Sequence, residues 1–377
     1  MRLILAVLWL SFGPVPGLSW QASGQTAEEA YRRVFSISAL GTPGPSLGLA
    51  AAYALVYRGL VPHAAFALAR DATGRSAWGY AGGAATPEAA EASALQRCRG
   101  SLGGLQAECR IILRDLDPVG GDPGTAVVQG SLGPFRWSPL HLRRGAQAAR
   151  GAVIWAHGYG GADRDLRRLP SPGFVTILND AGWDVLRFDR APGDDALFTT
   201  LPRLTEGLAA VRAAGYRQIV LGGQSRGGWQ AIMAASARPE LVDAVIAMAP
   251  AAHGEANRAN NLLAGLDDFR RLLAGLPPGP RLAVALFDGD DFDPDPERRA
   301  RMVEELSRDR AAPTLALWPQ APGQGAGGQP QPQSLRGHGA AYDLRFTLLY
   351  GACLLTLVQG PEAAAPRGVR RAACGGG

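Results

Sequence analysis

The sequence predicts an α/β protein: a mostly parallel sheet with helices on both faces, preceded by a small α+β (ββαβ) domain. Three observations predict it. From about residue 125 onward, short apolar runs alternate with longer helical patterns, as they do when parallel strands are joined by crossover helices. Ahead of that stretch, a hairpin signal, one alanine-rich helix and a further apolar run form a separate ββαβ pattern. Between the two, Asp117-Pro-Val-Gly-Gly-Asp-Pro-Gly reads as a linker by composition.

The expected organisation is a signal peptide over 1–22, a small domain over 23–118, a linker over 119–126, an α/β domain over 127–360, and a tail over 361–377. Met1-Arg2, the apolar stretch Leu3 to Phe12 and a small-residue exit have the form of a secretory leader, with a cut near Ser19 or Ala22. The expected location is therefore periplasmic or secreted. No later apolar run is long enough for a stable membrane span; 346–358 is too short. In the small domain, 64–69 and 76–81 read as strands joined by Asp71-Ala-Thr-Gly74. Thr86 is a good N-cap, Pro87 fits the first turn, and Glu88 and Glu91 suit the helix dipole, so a helix runs to Cys98. Residues 109–113 form the third strand. His63 has no evident partner and reads as structural.

In the larger domain the expected strands are 152–155, 184–188, 218–221, 243–248, 282–287 and 314–318. The expected helices are 174–181, 201–214, 229–238, 257–276, 296–310 and 340–358. The helix over 257–276 is placed to help cover a site. A loop rich in Gly, Pro and Gln, 320–333, precedes the final helix. The four cysteines permit three pairings. The two local ones, Cys98–Cys109 and Cys353–Cys374, are expected because each falls within one unit. No C-x-x-C or nearby histidine supports a zinc site.

Net charge is +5 and the pI is about 9.3, carried wholly by arginine, since the chain has no lysine. The arginines are interspersed with Asp and Glu and form no basic stripe, which argues against nucleic acid as a partner.

The chemistry gathers at Ile219-Val-Leu-Gly-Gly-Gln-Ser225-Arg-Gly-Gly. A strand, then G-x-S-x-G, then a helix is the arrangement that thrusts a serine hydroxyl out of a tight turn. Gly223 and Gly227 are needed because side chains there would collide. A serine hydroxyl needs a base, and the base needs an orienting carboxylate. Of the histidines at 63, 141, 157, 253 and 338, only His338, in Arg336-Gly-His-Gly-Ala, follows the last acid-bearing strand end. The acid belongs to Asp288-Gly-Asp290-Asp291-Phe-Asp293. Spacing alone does not choose among the four; Asp291 is favoured, then Asp290, then Asp293, the remainder being turn and helix-cap residues. Backbone N–H groups of Arg226 and of Tyr159, in His157-Gly-Tyr-Gly-Gly161, are the expected oxyanion donors. His157 reads as a loop-holding residue. Arg226, Trp229, Arg190 and the Asp163–Asp165 stretch are candidates to line the pocket.

With these motifs in order, residues 125 to 360 resemble the α/β-hydrolases of the dienelactone-hydrolase and prolyl-oligopeptidase-like branch. The motifs that carry the likeness are His157-Gly, Gly-Gln-Ser225-Arg-Gly-Gly and Gly-His338-Gly. The resemblance implies hydrolysis of a small-molecule ester or acyl substrate through an acyl-serine, with no metal or organic cofactor. The usual Gly-x-x-Asp falls on Phe292, so the acid departs from the pattern by one residue. A peptidase or acyltransferase on the same triad, or a catalytically silent binding protein, are the alternatives. The N-terminal unit resembles a small two-cysteine, alanine-rich domain of unknown function in exported bacterial proteins. It is the place where a protein partner would dock.

Overall fold

The computed structural model describes residues 62–71, 75–115, 117–119, 130–138, 141, 143–161, 164–167, 169, 171–256, 258, 261–293, 295–319, 335–361 and 365–374, together with 49, 52, 53, 57 and 60. The expected signal peptide, most of the linker and the loop 320–333 lie outside them.

The small unit is a four-stranded sheet, order β2-β1-β3-β4, made of β1 (Ala65–Arg70), β2 (Ser76–Ala81), β3 (Arg110–Arg114) and β4 (Asp117–Pro118), with helix α1 (Pro87–Gly100) on one face. Thr86 Oγ1 caps α1 by accepting the Ala89 N–H at 3.2 Å. The layer between helix and sheet is mostly small residues, among them Ala65, Ala67, Ala77, Ala90 and Ala94. They let the backbones approach closely: a β-carbon on Gly79 of β2 would lie 2.3 Å from the Cys98 nitrogen of α1. The opposite face buries Phe66 and Leu68 against Tyr53, Tyr57 and Leu344, the last of which belongs to the larger unit. The disulfide Cys98–Cys109 ties the end of α1 to the start of β3, and His63 Nδ1 is 3.1 Å from the Ala84 carbonyl.

The second sheet has nine strands: β5 (Ser131–Leu132), β6 (Phe135–Trp137), β7 (Ala152–Ala156), β8 (Asp184–Phe188), β9 (Ile219–Gln224), β10 (Ala244–Met248), β11 (Arg281–Ala285), β12 (Thr314–Leu317) and β13 (Gly368–Arg370). Their order is β13-β12-β11-β10-β9-β7-β8-β6-β5, parallel except for the β5–β6 hairpin and its junction with β8. Helices α2 (Gly173–Asp180), α3 (Leu197–Ala213), α4 (Arg226–Ala237), α5 (Asn261–Ala274), α6 (Pro296–Asp309) and α7 (Leu344–Gln359) complete it.

Strand pleating splits the core in two. In β7, Ala152, Ile154 and Ala156 face the core with α3 to α6, while Val153 and Trp155 face the core with α2 and α7. Both faces are covered, so the central strands are apolar up to the Gln224 that ends β9.

Several boundaries differ from expectation. Helix α3 starts at Leu197 and carries Pro202 inside it, although a proline locally reads as a helix start. Strand β9 runs on through Gly222 and Gly223 to Gln224. The stretch 340–358 is not one helix: a short 3₁₀ turn, Ala340–Tyr342, breaks at Asp343, whose carboxylate caps α7 by accepting the Arg345 N–H at 2.8 Å. The tail adds β13 to the sheet edge beside β12 and is bonded to α7 by Cys353–Cys374.

Candidate active site

The turn between β9 and α4 is built around Ser225. Its backbone, at φ 55° and ψ −123°, lies outside the regions that L-residues ordinarily occupy. Sterics explain its neighbours. A β-carbon on Gly223 would sit 2.3 Å from the Gly227 carbonyl carbon, and one on Gly227 would sit 2.2 Å from the Ala156 oxygen. Ser225 N–H donates to the Met248 carbonyl at 2.9 Å, and its own carbonyl accepts the Trp229 N–H, so the strained residue is held from both neighbouring elements. The sheet order carries the same message. Numbered along the chain from β5, the fourth strand (β8) lies in the sheet between the second (β6) and the third (β7), the serine turn follows the fifth (β9), and the glycine loop 157–161 follows the third. The fold is that of the α/β-hydrolases.

Ser225 and His338 open on one cleft of about 470 Å³, whose wall also includes Tyr159, Arg226, Phe292 and Tyr342. The His338 loop is fastened to the serine strand, because Gln224 Nε2 donates to the His338 carbonyl at 3.0 Å. His338 Nδ1 lies 2.9 Å from both carboxylate oxygens of Asp290. A carboxylate there fixes the ring proton on Nδ1, which leaves Nε2 as an acceptor. That nitrogen has no hydrogen-bond partner among the described residues.

Asp290, not the favoured Asp291, meets the imidazole. Gly289 turns the chain with φ +68°, directly after Asp288, whose backbone bridges to Arg336 in the histidine loop. The next residue is thereby aimed at His338, is 2% exposed, and accepts the Phe292 N–H at 2.9 Å. Asp291 is exposed, and its carbonyl accepts the Ala256 N–H. The other aspartates are engaged elsewhere. Asp288 accepts the Trp318 indole N–H at 2.8 Å, and buried Asp293 faces Arg299 at 3.2 Å. The cap of α6 is Asp295. Burial, opposed by Arg299, pushes the Asp293 carboxyl up to about 6.

Phe292, where the family pattern would place its acid, packs on the imidazole with ring centres 4.3 Å apart. Its role and that of Gln224 were not read from the sequence; only their immediate neighbours Asp291 and Ser225 hinted at them.

The loop 157–161 runs beside the serine. A β-carbon on Gly158 would lie 3.2 Å from Ser225 Cβ and 2.3 Å from Gln224 Oε1. His157 is buried with both ring nitrogens engaged: Nδ1 is 2.7 Å from the Gly158 carbonyl, and Nε2 accepts the Arg190 N–H at 2.9 Å. Burial and then the Arg190 charge lower its pKa to about 4, so it is neutral at ordinary pH. Of the pocket-lining candidates, Arg226 lies in the wall, its guanidinium 3.7 Å above the Tyr159 ring. Arg190 and Trp229 do not; Arg190 is buried behind the wall, and Trp229 packs against His253 and Phe269. Arg164 of the Asp163–Asp165 stretch lines the cleft, Asp165 pairs with Arg167, and Asp163 lies outside the described residues. Among the described residues, no cluster of His, Cys, Asp and Glu could hold a metal ion, and no helix is long and apolar enough to cross a membrane.

No protein-family model and no curated protein matches the chain. Among solved structures it is similar to Est1E from Butyrivibrio proteoclasticus, at 18% identity and a TM-score of 0.36 over 53% of this chain and 84% of that one. It is similar to a brefeldin A esterase, a bacterial homologue of human hormone-sensitive lipase, at 19% and 0.37 over 58% and 69%. It is also similar to a dienelactone hydrolase from Anabaena variabilis, at 21% and 0.29 over 43% and 70%.

Proposed function

We propose that this chain is a serine hydrolase that cleaves carboxylic esters of small molecules, with Ser225 as nucleophile, His338 as base and Asp290 as the orienting acid. The observation that carries the reading is the pairing of buried Asp290 with half-buried His338, which leaves imidazole Nε2 unbonded beside the cleft that Ser225 lines. Nε2 takes the hydroxyl proton as Ser225 Oγ attacks the acyl carbon. The negative charge that develops on the carbonyl oxygen is met by the N–H groups of Arg226 and Tyr159. The imidazolium, stabilised by Asp290, returns the proton to the leaving alkoxide, and an acyl-serine remains. Water then attacks that ester, giving its proton to Nε2, and the acid departs as Ser225 recovers its own. A cleft of this volume suits a small substrate. The two disulfides support a periplasmic or secreted location, since such bonds persist in oxidising compartments.

A fluorophosphonate probe and a p-nitrophenyl acetate assay test the reading together. The expected results are labelling that disappears in Ser225→Ala and hydrolysis that falls at least about a thousandfold in Ser225→Ala and His338→Ala. Failure of the folded wild-type chain to label or hydrolyse would favour a binding protein on this fold.

A further inference from the structure

Arg190 is fully buried, which is costly for a guanidinium unless it is paired and hydrogen-bonded; Nε and Nη2 are bonded, and Nη1 has no partner among the described residues. Its side chain faces the back of the glycine loop rather than the cleft. Nη2 donates to the carbonyls of His157 and Gly158, the latter at 3.2 Å. Nε donates to Asp195 at 2.5 Å. Its backbone N–H occupies His157 Nε2 and so keeps the ring proton on Nδ1, which is donated to the same Gly158 carbonyl. Two donors therefore hold one oxygen. The Gly158 carbonyl and the Tyr159 N–H belong to one planar peptide and point in opposite directions, so gripping the oxygen aims the N–H. On the far side of the arginine, the Asp195 carbonyl accepts Arg226 Nη1, and the Arg226 guanidinium lies on the Tyr159 ring.

We propose that Arg190 is the positioning residue of the oxyanion site: with His157 it aims the Tyr159 N–H from behind, and through Asp195 it ties that donor to Arg226. The inference rests on the proposed acyl-serine chemistry. It assigns a role to a buried ion pair that touches no substrate. Nη2 reaches the carbonyl whose peptide carries the Tyr159 donor as well as that of His157, so the loop is held on both sides of Gly158.

The test compares Arg190→Lys and Asp195→Asn with the wild type in p-nitrophenyl acetate turnover, in affinity for phenylboronic acid, which forms a tetrahedral adduct on the serine, and in thermal midpoint. A misaimed donor weakens the transition state more than substrate binding. The expectation is that kcat and boronate affinity fall together by about 10- to 100-fold while KM changes by less than about threefold. Activity and boronate affinity within about twofold of wild type in folded Asp195→Asn and Arg190→Lys, with or without a lower midpoint, overturn the proposal. If Arg190→Lys does not fold, isosteric Asp195→Asn decides by the same criterion. Ser225→Ala separates the two readings. If that variant still hydrolyses the ester, the acyl-serine reading falls and this one with it; if it is inactive while the arginine and aspartate variants are unaffected, only this one falls.

Discussion

At the scale of single residues, the acid shows where sequence reasoning runs out. Four aspartates crowd within six positions, and each has a different task set by backbone direction rather than spacing. A positive-φ glycine at 289 sets the aspartate that meets His338 one position ahead of Asp291, and no one-dimensional rule contains that turn. That Ser225 and His338 open on one cleft, and that His157 is bonded within its own loop, was legible because G-x-S-x-G, chain order and a glycine-flanked histidine each have a steric or chemical cause. The prediction at this scale is a ranking. Asp290→Asn leaves the imidazole without its anion and should lower kcat about a thousandfold or more, whereas exposed Asp291→Asn should remain within about twofold. Steady-state ester hydrolysis by both variants checks it, and the reverse order would move the acid to Asp291.

At the scale of elements, long apolar or strongly capped segments were readable and short polar ones were not. The α1 start, with Thr86 and Pro87, is where its cap residues place it. The hairpin β5–β6 and the edge strand β13 escaped because they are two or three residues long and take their stability from neighbours, not from a pattern of their own. The Ser225 turn, the elbow between β9 and α4, is the opposite case, since its glycines announce a close approach of strand and helix. Gly227→Ala should therefore damage both stability and turnover. Its new methyl would press on the Ala156 and His157 carbonyls, at 2.2 and 2.6 Å, and push away the strand end that carries the glycine loop. Gly100→Ala, at the end of α1 with nothing within 4 Å of the new carbon, should be neutral or gain up to about 1 kcal/mol. Thermal midpoints and ester turnover of the two variants check the contrast; a Gly227→Ala chain as stable and active as the wild type would mean that the elbow is looser than these distances.

At the scale of the whole molecule, the alternation of elements was enough to read a doubly covered parallel sheet, but not how acid would act on it. That depends on two histidines buried during folding. His157 and His141 have pKa values lowered to about 4 and about 3, in both cases first by burial and then by an arginine charge, Arg190 and Arg187 respectively. Unfolded, both titrate near 6.5. Between these values the unfolded chain binds more protons than the folded one, so stability is fully present above about pH 6.5 and declines as pH falls toward about 4. For His157 the shift corresponds to something on the order of 3 kcal/mol. Urea midpoints at constant ionic strength should therefore drop across that window in the wild type. They should drop less in His157→Asn, whose amide can still donate to the Gly158 carbonyl but does not take up a proton. A wild-type midpoint that is flat from pH 7 to 4, or an equally steep fall in His157→Asn, would mean that the ring is not held neutral by its burial.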